Sequence, residues 1–171
     1  GTVVEAGYAD DGTAVAGTVS VNGQLSASDV DMGATETWSI QGTPSTTYGS
    51  LAITNTTTGA WTYTLDNADA DSQALAENAS VQETFTVRVT DDFHAFVDQT
   101  VTITITGTND APVATVDTAT TAENAVLTID VLANDTDVDL TNTHTVDVVS
   151  ITSGNGTVAI VNNQVQWSPG T

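Results

Sequence analysis

The sequence predicts an all-β protein built from antiparallel sandwich modules. Three observations lead there. Apolar residues alternate with polar ones at period two, as in Phe85, Val87, Val89 and again in Val101, Ile103, Ile105, with Thr on the opposite face. β-branched residues dominate these runs, and Gly, Asn, Asp and Ser clusters punctuate them. Only Ser72 to Glu77 carries a helical signal, and it is a single turn.

The elements follow in order. Thr2 to Glu5 is a short extended start, and Gly7 to Gly12, with Asp10 and Asp11, reads as a turn. Thr13 to Leu25 places Val15, Val19 and Val21 among small residues, which suits edge strands. Asp29, Val30, Asp31, Met32 and Gly33 form an acidic loop. Strands are expected at Glu36 to Gln41, around Leu51 and Ile53, and at Trp61 to Leu65 after a Thr56–Gly59 turn. Two longer ones follow at Val81 to Thr90 and Val97 to Thr106. About seven strands in about 108 residues make one sandwich. Alternation turns Trp38, Trp61, Phe85, Val87, Ile103 and Ile105 inward.

Gly107 to Val113 then joins two patterned regions. Pro112 removes a backbone donor and biases Ala111 to an extended conformation. Asn109 and Asp110 set a carbonyl oxygen beside a carboxylate, so the joint reads as a stiff hinge whose angle a hard cation could set. A solvated interdomain turn is the plainer reading of the same residues.

Beyond the joint the pattern starts again. Thr136, Asp137, Val138, Asp139, Leu140 echo Ser28, Asp29, Val30, Asp31, Met32. Glu123 and Asn124 echo Glu5. Gly156 to Ile160 repeat Gly49 to Ile53, and Trp167-Ser168 repeat Trp61-Thr62. Such self-similarity marks a repeat architecture. Counterparts of Phe85 to Thr106 are missing by Thr171. The expected domains are a sandwich over 1–108, a linker over 109–112, and the N-terminal part of a second module over 113–171.

Composition narrows the function. The chain has 22 acidic residues against one basic residue, Arg88, for a net charge of −21. That charge excludes nucleic acid and anionic membrane as partners. The acids are scattered and 39% of residues are hydrophobic, unlike a disordered acidic tail. No apolar run approaches the roughly 20 residues of a membrane-spanning helix. No signal peptide is visible, and Gly1 need not be a natural start. There is no cysteine, so the available metal chemistry is that of carboxylates and carbonyls.

Several motifs together carry a family resemblance. They are Ser28-Asp29-Val30-Asp31, the run from Thr58 to Asn67, the run from Phe85 to Asp92, and the run from Val101 to Val113. With them the first module resembles the VCBS repeat of giant bacterial adhesins, within the wider cadherin-like class. Asp130 to Asp137 is similar to the related bacterial Ig-like repeats. The resemblance implies tandem Greek-key Ig/cadherin-like β-sandwiches with the second module incomplete. It implies a calcium-rigidified stalk of a Gram-negative surface protein, often secreted with RTX-type (type I) signals, and a role in cell adhesion and biofilm formation. The implied partners are neighbouring repeats of the same polypeptide, and a cell-surface glycan or protein.

It also implies metal ligands. Asp29, Asp31 and Asp91 resemble the set that caps one end of such a module. Glu5, Asp66, Asn109 and Asp110 resemble the set at the other end, joined by Asp137 and Asp139 of the next module. Ca2+ takes 6–8 oxygen ligands, and an Asp-x-Asp pair on a loop can reach one ion. Two departures reduce the expected cluster to one or two ions. The family's Leu-Asp-Arg-Glu reads Leu65-Asp66-Asn67-Ala68 here, and the linker lacks the first Asp and second Asn of the cadherin pattern.

Other chemistry finds little support. His94 and His144 fall in different modules without cysteines, against a transition-metal site. Paired carboxylates could serve a glycosidase, but that needs a cleft and an acid of raised pKa. Trp38, Trp61 and Trp167 read as core before sugar-stacking platforms. The sequons at Asn55, Asn78, Asn134 and Asn155 weigh little in a bacterial protein. The expectation is a non-enzymatic extender module. Its rivals are a glycan- or peptide-binding module near an adhesin tip, and an accessory domain of a secreted hydrolase.

Overall fold

The computed structural model describes residues 1–9, 11–31, 33–44, 46–139 and 141–170. Asp10 of the expected turn, and Met32 and Leu140 of the repeated motif, lie outside the described residues. The chain divides into two compact units. The first is Gly1–Ala111 with Val138–Leu140, and the second is Pro112–Asp137 with Thr141–Thr171.

The first unit holds β1 (Thr2–Val4), β2 (Gly7–Tyr8), β3 (Ala14–Val15), β4 (Ser20–Gln24), β5 (Glu36–Ile40), β6 (Gly49–Asn55), β7 (Ala60–Leu65), α1 (Ala70–Gln73), β8 (Ser80–Asp91) and β9 (Phe96–Thr106). One sheet runs β1-β9-β8-β5 and the other β4-β7-β6, with β2-β3 as a separate hairpin. The pair β8 and β9 forms the spine, in register from Ser80↔Thr106 to Thr90↔Phe96. β1 joins β9 in parallel, so the chain enters beside the strand by which it leaves.

Alternation decides which side chains face inward. Trp38, Phe85, Val87, Val101, Ile103 and Ile105 meet Leu51, Trp61, Tyr63 and Leu65 of the other sheet in one buried cluster. All six side chains expected inward are there. Glu83 shares that face and is 4% exposed. Its Oε2 accepts the Tyr63 hydroxyl at 2.6 Å, and its Oε1 accepts the Tyr48 amide at 3.3 Å. Burial first, and then Glu83, push the Tyr63 phenol well above its ordinary pKa. A buried carboxylate therefore bridges the sheets as a hydrogen-bonded group, which lowers its desolvation cost.

Two local readings change. The segment read as a turn from Gly7 to Gly12 starts with a strand, because Gly7 and Tyr8 pair with Val15 and Ala14; the Tyr8 amide also donates to the Asn109 carbonyl at 2.6 Å. A Cβ on Gly7 would overlap that carbonyl, so the approach needs glycine. The helical turn covers Ala70–Gln73, earlier than Ser72–Glu77, because Asp69 caps it through the Asp71 amide.

The second unit holds β10 (Leu127–Ile129), β11 (Thr157–Val161) and β12 (Gln164–Ser168), in the antiparallel order β10-β12-β11. Asn162 and Asn163, both at positive φ, make the two-residue turn between β11 and β12. Asn163 accepts the Val146 amide and donates to the His144 carbonyl, which ties an irregular segment to the hairpin.

Candidate metal centre

Glu5 lies just past β1 and is fully buried. Its amide donates to the Thr106 carbonyl at 3.0 Å, and its own carbonyl accepts the Thr108 hydroxyl at 2.9 Å. The carboxylate takes the Gln73 amide on Oε1 at 2.8 Å and the Thr108 amide on Oε2 at 3.2 Å. Burial pushes the Glu5 carboxyl up to about 7, opposed by the bond from Thr108; Asp110 and Asp139 raise it further, while Gln73 lowers it.

Asp110 and Asp139 belong to the same unit as Glu5. The Asp110 amide donates to Asp139 Oδ2 at 2.6 Å. Asp139 is 1% exposed, and its Oδ1 and Asp110 Oδ2 are sealed from solvent. Asn109 orients the linker, its backbone carbonyl accepting from the Tyr8 amide and its side-chain Nδ2 donating to the Asp110 carbonyl at 2.8 Å. Glu5, Asp110 and Asp139, three of the sequence-read candidates, thus form one acidic neighbourhood, with Glu5 and Asp139 buried, Asp110 half-buried and Asn109 at its side.

The other candidates stand elsewhere. Asp66 is exposed and turns its Oδ1 to the Ala68 amide. Asp137, in the second unit, meets His144 Nε2 at 3.0 Å. Asp29 and Asp31 are exposed, with Asp29 Oδ1 accepting the Asp31 amide. Asp91 caps its hairpin by accepting the Phe93 and Ala95 amides. Asp29 and Asp91, with Glu36, line an open depression of about 420 Å³ whose wall includes Val89, Phe96 and Val97. Among the described residues, no three acidic or imidazole side chains already stand together as a ready metal cage.

Sequence reasoning missed the supports. Gln73 holds the Glu5 carboxylate, and Asn67 clamps the next residue, accepting the Ala6 amide at 2.7 Å. Gln73 belongs to no motif, Asn67 entered only as a departure from Leu-Asp-Arg-Glu, and both contacts span more than sixty residues. The capping signal at Asp69 could have placed the helix that carries Gln73, but not its partner.

The neighbourhood is rich in hard oxygen donors and poor in cations. Arg88 is the chain's one Lys or Arg, and its guanidinium is held by Asp98 at 2.6 and 2.8 Å and stacks over Phe96. Carboxylate and carbonyl oxygens are the donors that a hard cation such as calcium takes, in shells of 6–8 oxygens.

A model of the bacterial cadherin-like domain matches residues 3–107. The chain belongs to the bacterial cadherin-like domain family. A model of the bacterial Ig domain matches residues 109–171. No curated protein matches the chain. Cadherin-like domains generally bind calcium, and with Ig-like domains they are typically non-enzymatic structural modules. Membership points to an extracellular bacterial surface protein. No helix of this cadherin-like chain, among the described residues, is long and apolar enough to cross a membrane.

Proposed function

We propose that this chain is a non-enzymatic extender segment of a secreted bacterial adhesin stalk, acting in cell adhesion and biofilm formation, and that calcium stiffens it. In this reading residues 1–108 are one module, 109–112 its linker and 113–171 the first part of the next. One observation carries the reading: buried Glu5 and Asp139 lie in one acidic neighbourhood with half-buried Asp110, while the chain's one Lys or Arg side chain is committed to Asp98. Bringing like charges together in a water-poor setting is costly, and a bound divalent cation would lower the cost. Glu5, Asp110 and Asp139 would hold the ion, with Asn109 and Asp66 available from the same unit, and Asp137 would serve the second unit. Asp29, Asp31 and Asp91 would form a second, more solvated site. The ion supplies fixed positive charge that links the 138–140 segment to the first sandwich. Type I secretion accords with the RTX-type resemblance.

Scanning calorimetry with calcium and with chelator tests this. At a Kd of about 10⁻⁴ M, one site under roughly 10 mM calcium stabilises the fold by about 2.7 kcal/mol. Chelator should lower the melting temperature, and Asp110→Asn with Asp139→Asn should remove most of the difference. An unchanged melting temperature in chelator would refute the reading.

A second reading, glycan or peptide binding, draws on the open depression lined by the exposed Phe96 and Val97. A glycan array separates the two, since an extender gives no sugar-specific signal.

A further inference from the structure

We propose that Asn155 is a site of spontaneous deamidation, and that its conversion loosens the β11–β12 hairpin as the protein ages. The inference is independent of calcium. The chain has two Asn-Gly pairs, Asn22-Gly23 and Asn155-Gly156. In such a pair the glycine backbone nitrogen can attack the Asn side-chain carbonyl carbon, because no Cβ shields it. The new C–N bond closes a succinimide ring. The carboxamide nitrogen takes the proton of the attacking amide and leaves as ammonia. Water, the only co-reactant, then opens the ring at one carbonyl or the other. One opening gives Asp. The other gives isoaspartate, whose main chain runs through the side-chain carbon and is longer by one methylene.

The two pairs stand in opposite settings. Asn22 and Gly23 lie within β4, paired with Thr62 and Trp61 of β7. Asn22 Oδ1 accepts the Thr62 hydroxyl at 2.7 Å. Gly23 lies so close to the Trp61 indole that a Cβ would overlap it. Ring closure there requires the carboxamide to leave Thr62 and the strand to leave its ladder. Asn155 is exposed, in the bend before β11, and pairing with β12 begins only at Thr157. A Cβ on the preceding Gly154 would meet nothing within 4 Å. The Asn155 carboxamide can therefore turn toward the Gly156 nitrogen without breaking a strand.

Gly156 gives the reaction its consequence. A Cβ on it would come within 2.6 Å of the Ser168 carbonyl oxygen and 2.8 Å of Trp167 Nε1. The main chain is thus fitted closely against the end of β12. A methylene inserted just before this contact displaces Gly156, where Thr157 starts its pairing with Ser168.

The test ages the full chain in mildly alkaline buffer and follows both Asn residues by peptide mass spectrometry. Asn155 should convert to a mixture of Asp and isoaspartate at least about tenfold faster than Asn22, which must first open its ladder. In denaturant the two rates should converge, because both pairs then carry the same Asn-Gly chemistry. Equal rates in the folded protein overturn the inference. So does an Asn155 that stays intact while the denatured chain converts. Aged protein should also show faster amide exchange in β11 and β12, with β8 and β9 unchanged. Asn155→Gln, whose longer side chain closes a ring far more slowly, should keep the exchange pattern of fresh protein after the same ageing. Aged wild type that exchanges like fresh protein refutes the loosening. An Asn155→Gln protein that loosens as much as wild type refutes its assignment to Asn155.

Discussion

Two hairpins of this protein carry the same sequence pattern and end in different surroundings. In the first unit β6 and β7 pair Ile53 with Trp61, across a turn at Thr56–Gly59. In the second, β11 and β12 pair Val158 with Trp167, across the two-residue Asn162-Asn163 turn. Trp61 is 8% exposed and faces a second sheet. Trp167 is half-buried, and among the described residues no hydrophobic side chain of the second unit is fully buried. The strand pattern is local, but burial is not. An apolar face gains its full stabilisation only where another sheet covers it. The units differ in charge as well, since the first encloses Glu5, Glu83 and Asp139.

The largest expected effect tests the packing contrast. Trp38→Ala or Phe85→Ala should cost about 3–5 kcal/mol, as aromatic deletions from closed cores do. Trp167→Ala should cost well under half of that. Chemical denaturation measures both, and equal losses would break the contrast.

The next concerns pH. Glu5 has an ordinary value of 4.5 and reaches about 7 in the fold, through burial first. Its folded value is the higher one, so the folded state keeps the proton longer. The stability it confers is complete below about pH 4.5 and is lost as the pH rises to about 7. In chelator, stability should therefore fall by up to about 3 kcal/mol across that window. With calcium the trend should reverse, because the ion needs the ionised carboxylate. Parallel pH profiles of melting temperature in the two buffers would contradict this.

A smaller effect sharpens the charge contrast. Glu83→Ala removes the acceptor of both the Tyr63 hydroxyl and the Tyr48 amide. It should cost about 2–3 kcal/mol, and Glu83→Gln less, since a carboxamide still accepts. Equal losses for the two would show that volume, and not the hydrogen bond, matters there.

The smallest lies in the second unit. Asn163→Ala removes the bonds to Val146 and His144 from a residue at positive φ. A loss of about 1–2 kcal/mol is expected, confined to that unit. Amide exchange that accelerates in β11 and β12 while β8 and β9 stay protected is the signature to seek.

Much of the fold was legible because it is periodic. The alternation in Phe85, Val87, Val89 and in Val101, Ile103, Ile105 gives strand, face and core together, and the lack of cysteine with many acids points to oxygen-ligand chemistry. The sequence by itself determined the all-β class, the inward face of each long strand, the recurrence of the acidic motif and a charge balance that leaves one basic side chain. Tertiary structure decided what those acids experience. Asp29 and Asp31 sit in water, while Asp139 of the equivalent Asp-x-Asp is enclosed beside Asp110. The two motifs read alike because their spacing is local. Their environments differ because burial depends on segments far away in the chain: the linker at Asn109 and Asp110, and Gln73 held against Glu5 by contacts that no spacing rule encodes.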